Sequence, residues 1–211
     1  MRHIAVEGVI GVGKTALAEL LAKRLNAKLV LEAVEDNPFL DRFYGDLRGY
    51  AFQTQLFFLL SRHRQQTELA QLGLFEDNVV CDYLFEKDRV FAGLNLTEHE
   101  FALYERIYAM LASEVRRPDL VVYLQARTDV VMARIKRRGR PFEAGIDPEY
   151  VDRLSDAYNS YFMRYDGAPV LIVNTERMDF VLSREDFEDL FRAVESTKSG
   201  RRFYSPSGRG R

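Results

Sequence analysis

Disulfides are the first thing this chain lacks. Its 211 residues include one cysteine, Cys81, so no bridge can close within the chain and no cysteine framework can replace a core. Cys81 lies in the apolar run Asn78-Val-Val-Cys-Asp82 and reads as a packed thiol in a reducing compartment. No stretch reaches the ~18 apolar residues that span a bilayer. The opening Met1-Arg-His-Ile-Ala-Val-Glu-Gly8 meets a glycine motif too early for a secretion signal. A cytoplasmic protein with no membrane partner is expected. An excess of one charge is also lacking. The balance of 30 Lys and Arg against 32 Asp and Glu leaves −2, which gives no reason to expect nucleic acid. There is no internal repeat.

What is present is ordinary globular material, 47% apolar and 29% charged, long enough for one α/β domain with a sizeable core. Short continuous apolar runs occur at Ile4–Val6, Lys28–Leu31, Val79–Cys81, Leu120–Leu124 and Val170–Val173. Strands buried on both faces of a parallel sheet read this way. Helical patterns fill the gaps. Lys14 to Leu25 sets Leu17, Leu20, Leu21 and Leu25 on one face, and a longer helix is expected over 48–71. Thr97-Glu-His-Glu100 is a capping box ahead of Phe101, Tyr104, Tyr108 and Leu111. Thr128 is a candidate cap for a helix to Arg138, Asp147-Pro148 starts another, and Ser183 opens the last. The aromatic stripes read as core or dimer surface. Strands alternating with helices predict a doubly wound α/β fold of about five parallel strands, with ligands at their carboxyl ends. Residues 1–196 make up this domain. Thr197–Arg211 has five basic residues and no acidic one, and is expected to be a tail without fixed structure.

The segment Gly8-Val-Ile-Gly-Val-Gly-Lys-Thr15 fits G-x-x-x-x-G-K-[ST], directly after a strand and directly before a helix. Gly8, Gly11 and Gly13 let the backbone curl, so that N–H groups along Gly8, Val9, Ile10, Gly11, Val12 and Gly13 face phosphate oxygens. Lys14 can reach the β- and γ-phosphates, and the Thr15 hydroxyl can ligate Mg²⁺. The expected ligands are ATP and Mg²⁺ on a P-loop NTPase-type fold. Asp82 ends the third strand beside this loop and is a second candidate for the metal. Arg134-Ile-Lys-Arg-Arg-Gly-Arg140 follows the fourth strand. Arg134, Arg138 and Arg140 on a lid suit a transferring phosphoryl group, whose charge spreads over three oxygens.

Together with these features, further motifs in order make the chain resemble the deoxynucleoside kinase family, from about Ile4 to Val194. Glu32-Ala-Val-Glu-Asp-Asn-Pro38 is similar to that family's Glu-x-Val-x-x-Asn-Pro segment, which implies Glu32 as general base. A 5′-hydroxyl is a poor nucleophile until a carboxylate takes its proton. The resemblance implies that Tyr44 and Glu143 hold the 3′-hydroxyl, that Gln55 reads the base, and that Arg62 pairs with Asp88 near it. It also implies that Asp179-Phe180 cups the adenine of ATP. A small deoxynucleoside substrate and a homodimer are implied as well. If Arg62 and Asp88 pair, the resemblance favours deoxyadenosine or deoxyguanosine, then deoxycytidine, over thymidine. One departure stands out. The family has an arginine after the third-strand acid, where this chain reads Asp82-Tyr83-Leu84. Either catalysis is slowed or another cation substitutes, and Lys87 and Arg89 are near in sequence. A thymidylate-type monophosphate kinase, or a nucleotide-binding module without catalysis, remains open as an alternative.

Overall fold

The computed structural model describes residues 2–72 and 78–206. All five expected strands form: β1 (Arg2–Gly8), β2 (Lys28–Val30), β3 (Asn78–Cys81), β4 (Leu120–Gln125) and β5 (Val170–Asn174). They pair in parallel in the order β2-β3-β1-β4-β5, with β6 (Arg201–Tyr204) added beside β5. The helices are α1 (Lys14–Leu25), α2 (Leu40–Phe43), α3 (Leu47–Leu72), α4 (Lys87–Asn95), α5 (Glu98–Ala112), α6 (Thr128–Arg138), α7 (Pro148–Phe162) and α8 (Arg184–Ser196). No helix among the described residues is long and apolar enough to cross a membrane.

The core follows from the apolar runs. Ile4, Val6, Val80, Leu120, Val121, Val122, Leu171 and Val173 lose all solvent contact, each contributing about 1.5–3 kcal/mol of transfer free energy. Helix α1 lays Leu17 and Leu21 on this sheet, with Leu20 and Leu25 at the margin. Helix α7 adds Tyr150, Leu154, Tyr158 and Phe162, and Tyr123 stacks on Phe162 with centroids 4.3 Å apart. Cys81 is buried and free. Burial pushes its thiol up to about 12, so it is a packing residue and not a reactive one.

Two expectations need correction. The segment after Thr197 is not structureless throughout, because Arg201–Tyr204 pairs with Val170–Val173. Its side chains are mostly exposed, so the pairing rests on backbone hydrogen bonds along the open edge of β5 and leaves no apolar signature. The rest of that tail, 207–211, lies outside the described residues. Thr128 does not cap α6. Arg127 takes the cap position, and the Thr128 hydroxyl hydrogen-bonds Asp152 of α7 instead. Of the two roles expected for the aromatic stripes, core or dimer surface, Tyr104 and Tyr108 of α5 take the core. They pack inward on Phe85, Leu59 and Ala92, while Leu103 and Met110 face outward.

The topology sets the site. β1 is central, flanked by β3 and β4. The loop leaving β1 therefore lies between Asp82, at the end of β3, and the start of α6.

Candidate active site

The loop between β1 and α1 is shaped by its glycines. Gly11 and Gly13 have φ of 80° and 113°, a region that suits residues without a Cβ. A Cβ on Gly11 would meet Ile135, and one on Gly13 would come 3.2 Å from the Phe180 ring. Lys14 Nζ donates to the Gly8 and Val9 carbonyls at 2.8 and 3.1 Å. Burial, then the neighbouring Lys87, lowers its pKa to about 8. An arriving polyphosphate would remove that penalty.

Two cavities meet at this loop. Gly11, Lys14, Thr15, Arg138 and Arg140 line both of them. The first is also bounded by Val12, Gly13, Arg134, Asp179 and Phe180. Asp179 accepts from the Val181 and Leu182 amides, which fixes the turn that carries Phe180. The second is lined by Glu32, Tyr44, Gln55, Arg62, Asp82, Lys87 and Glu143, with Phe43, Phe58, Phe91 and Phe142 as apolar walls.

Thr15 and Asp82 come together as the sequence suggests, the Thr15 hydroxyl donating to Asp82 Oδ2 at 2.7 Å. A hydroxyl and a carboxylate side by side at a phosphate loop suit Mg²⁺, which takes few protein ligands and completes its shell with water and phosphate. The other Asp82 oxygen accepts from the Glu32 amide at 2.7 Å. One carboxylate thus also fixes the residue that follows β2.

Glu32 is held at both oxygens. Arg62 Nε donates to Oε1 at 2.8 Å, and Lys87 Nζ donates to Oε2 at 2.8 Å. Burial alone would push the Glu32 carboxyl up, but the Arg62 and Lys87 charges hold it well below the usual carboxylate range. Arg62 reaches past Glu32 to Asp88, whose second oxygen accepts from Tyr104 Oη at 2.9 Å. Arg62 and Asp88 both lie under 5% exposed, on α3 and α4 respectively. Burial raises the Asp88 carboxyl, and Arg62 opposes that shift.

Gln55 is also buried on α3, two turns before Arg62 on the same face. Its neighbour Asn37 donates to the Thr54 carbonyl at 3.3 Å and accepts from the Phe39 amide at 3.0 Å. These bonds tie the Asn37-Pro38 turn to α3 and so help place Tyr44. Burial, with Tyr150 and Glu143 nearby, keeps the Tyr44 phenol protonated well beyond its ordinary range. Glu143 sits in a single 3-10 turn (Pro141–Glu143) and pairs with Arg138 at 2.6 and 3.1 Å.

Arg134 does not share the lid position expected of it. It donates to the Val12 carbonyl at 2.9 Å and to Thr175 at 2.9 and 3.0 Å, clamping the phosphate loop to the segment after β5. Arg138 and Arg140 are left at the mouth. Arg89 does not reach the site either, since it pairs with Glu105 at 2.8 Å on the outer side of α4. Tyr83, which stands where an arginine was expected, turns away and accepts from Gln66 at 3.2 Å.

Sequence reasoning missed Glu7. It is the penultimate residue of β1 and fully buried. Its oxygens accept from Gly8 N, Leu84 N and Tyr158 Oη at 3.0, 2.7 and 3.2 Å. An acid directly after the apolar run Ile4–Val6 was the available signal, because burial demands partners for it.

Two cavities sharing one phosphate loop are what phosphoryl transfer between small molecules requires, one for the donor and one for the acceptor. The class is a P-loop phosphotransferase. The deoxynucleoside kinase profile matches residues 4–198. The chain is 36% identical over 190 residues to the deoxyguanosine kinase of Bacillus subtilis, covering 88% of this chain and 92% of that one. It is 34% identical over 207 residues to the deoxyadenosine kinase of Dictyostelium discoideum, covering 95% and 81%. Its fold matches the deoxyadenosine kinase from M. mycoides with bound dATP, at a TM-score of 0.78 and 26% identity, covering 93% and 100%. This chain belongs to the deoxynucleoside kinase family.

Proposed function

We propose that this protein transfers the γ-phosphate of ATP to the 5′-hydroxyl of a 2′-deoxynucleoside, preferring deoxyadenosine or deoxyguanosine, then deoxycytidine. One observation carries the reading: Glu32 lines the same cavity as Lys14 and Thr15 on one side and Gln55 and Tyr44 on the other. A carboxylate so placed can take the proton of a hydroxyl that faces the donor phosphates. The buried Arg62–Asp88 pair beside Gln55 supports the base preference, as do the deoxyguanosine and deoxyadenosine kinase relatives.

In this reading the loop amides beyond Gly8, whose own N–H is held by Glu7, face the phosphates, and Lys14 leaves its resting carbonyls for them. Thr15 and Asp82 would hold Mg²⁺, which supplies charge neutralisation between the phosphates. Arg138 and Arg140 close over the charge that develops at the mouth. Phe180 and Asp179 take the adenine, Gln55 the acceptor base, and Tyr44 with Glu143 the 3′-hydroxyl. Arg134 serves by fixing the loop. We place the protein in the cytoplasm, in nucleotide salvage, with no nucleic acid or membrane partner. We also propose a homodimer, because Leu103 and Met110 leave apolar surface on α5. Light scattering should give twice the 24.5 kDa chain mass, and a monomer would reject this.

The activity test is γ-phosphate transfer to deoxyadenosine, deoxyguanosine, deoxycytidine and thymidine, each beside its 5′-monophosphate. Turnover of a purine deoxynucleoside is expected. Turnover of thymidine alone would overturn the base preference, and turnover of monophosphates alone would make the protein a monophosphate kinase.

A further inference from the structure

Lys87 opens α4 and is 3% exposed. Its ammonium lies 2.8 Å from Glu32 Oε2 and 4.0 Å from Glu7 Oε1. A buried ammonium is costly unless it is paired, and this one is paired with two carboxylates from different elements. Glu7 in turn accepts from the Gly8 amide at 3.0 Å, the first residue of the phosphate loop. A chain of contacts therefore runs Gly8–Glu7–Lys87–Glu32, from the donor's cradle to the carboxylate that faces the acceptor. Arg62, the other partner of Glu32, is tethered to Asp88 in the acceptor half, so it makes no such link. Phosphoryl transfer gives a protein little covalent chemistry to do, and catalysis is mostly alignment.

We propose that Lys87 is a positioning residue that ties the Glu32 carboxylate to the phosphate loop through Glu7, and that this tie sets the alignment of acceptor and donor. It fills the need left by Tyr83, whose side chain points away from the site. The inference rests on the kinase reading for its readout.

The test compares kcat and KM of the parent, Lys87→Gln, Glu32→Gln and the double variant. Lys87→Gln removes the charge and keeps an N–H donor in the slot. Its kcat for the best deoxynucleoside should fall about 10- to 100-fold, as expected for a misaligned reacting group. KM should stay within about threefold, because uniform binding is untouched. In the Glu32→Gln background the same change should cost less than about threefold, because Lys87 acts through Glu32. A purely structural lysine would cost as much in both backgrounds. Lys87→Arg, which keeps the charge, should recover activity to within about tenfold of the parent. It carries the test should Lys87→Gln fail to fold. A Lys87→Gln kcat near that of the parent, a full-sized loss in the Glu32→Gln background, or a folded Lys87→Arg with no more activity than Glu32→Gln overturns the proposal. An inactive parent would instead overturn the kinase reading, and this inference with it.

Discussion

Glu32→Gln is expected to lower kcat for deoxynucleoside phosphorylation by about 10²- to 10⁴-fold, the usual range for a lost general base. Binding of ATP should persist, because the loop from Gly8 to Thr15 is untouched. The fold should survive as well. Arg62 keeps Asp88, Lys87 keeps Glu7, and the glutamine oxygen can still accept from one of the two cations. The low pKa of Glu32 at first looks wrong for a base. Two points resolve this. Glu32 Oε2 accepts from Lys87 and has a second acceptor site for an incoming hydroxyl, and any lengthening of a cation contact as substrate enters raises the carboxylate's affinity for protons. In a loose transition state the proton also leaves late, so a weak base suffices. Because its folded pKa is depressed, the Glu32 carboxylate stabilises the protein above the ordinary value of 4.5. That contribution is lost as pH falls through the lower folded value. Steady-state kinetics beside a nucleotide-binding titration checks the prediction. Full activity in Glu32→Gln would remove this residue from the chemistry.

How legible each part was in the sequence depended on how local its cause is. The phosphate loop is eight consecutive residues whose conformation needs glycine, so pattern and structure coincide. The inner strands β1, β3, β4 and β5 were equally plain, because burial on both faces writes continuous apolar runs. Asp88 was named only through the resemblance, because its partner Arg62 lies on another helix. Lys87 was visible only as a nearby cation. Choosing it over Arg89 required knowing which face of α4 turns inward, and Glu105 on α5 decides that by capturing Arg89. The clamp from Arg134 to Thr175 depends on β4 and β5 being neighbours, which no local pattern states. Strand β6 was hidden because an edge strand needs backbone partners more than apolar side chains. Helix α3 was expected over 48–71 and forms over Leu47–Leu72, yet it carries no clean apolar stripe: its buried face includes Thr54, Gln55, Arg62 and Gln66. Polar residues facing inward are the signature of a site, and there the rule that buries hydrophobics gives way.

Arg62→Met should be the most damaging single change to stability. It strips a buried pair of one partner and leaves Asp88 and Glu32 facing each other, with Tyr104 and Lys87 as remaining partners. Removing one member of a buried ion pair costs about 3–5 kcal/mol. For a chain of this size that is a fall in Tm of roughly 6–20 °C. Asp88→Ala should cost less, since Arg62 keeps its bonds to Glu32. The double variant should be more stable than Arg62→Met alone, because the worst product of the single change, an unpaired buried carboxylate at Asp88, is gone. The same variants test base choice. With the charged pair removed, the preference for purine deoxynucleosides and deoxycytidine over thymidine should shrink in the substrate panel. Thermal denaturation of the three variants, read against kcat/KM ratios, separates the two roles. If stability recovers in the double variant while selectivity does not return, the pair belongs to recognition as well as to the fold. If selectivity is untouched throughout, the pair is only a buried strut and base preference must come from Gln55 and the phenylalanine walls.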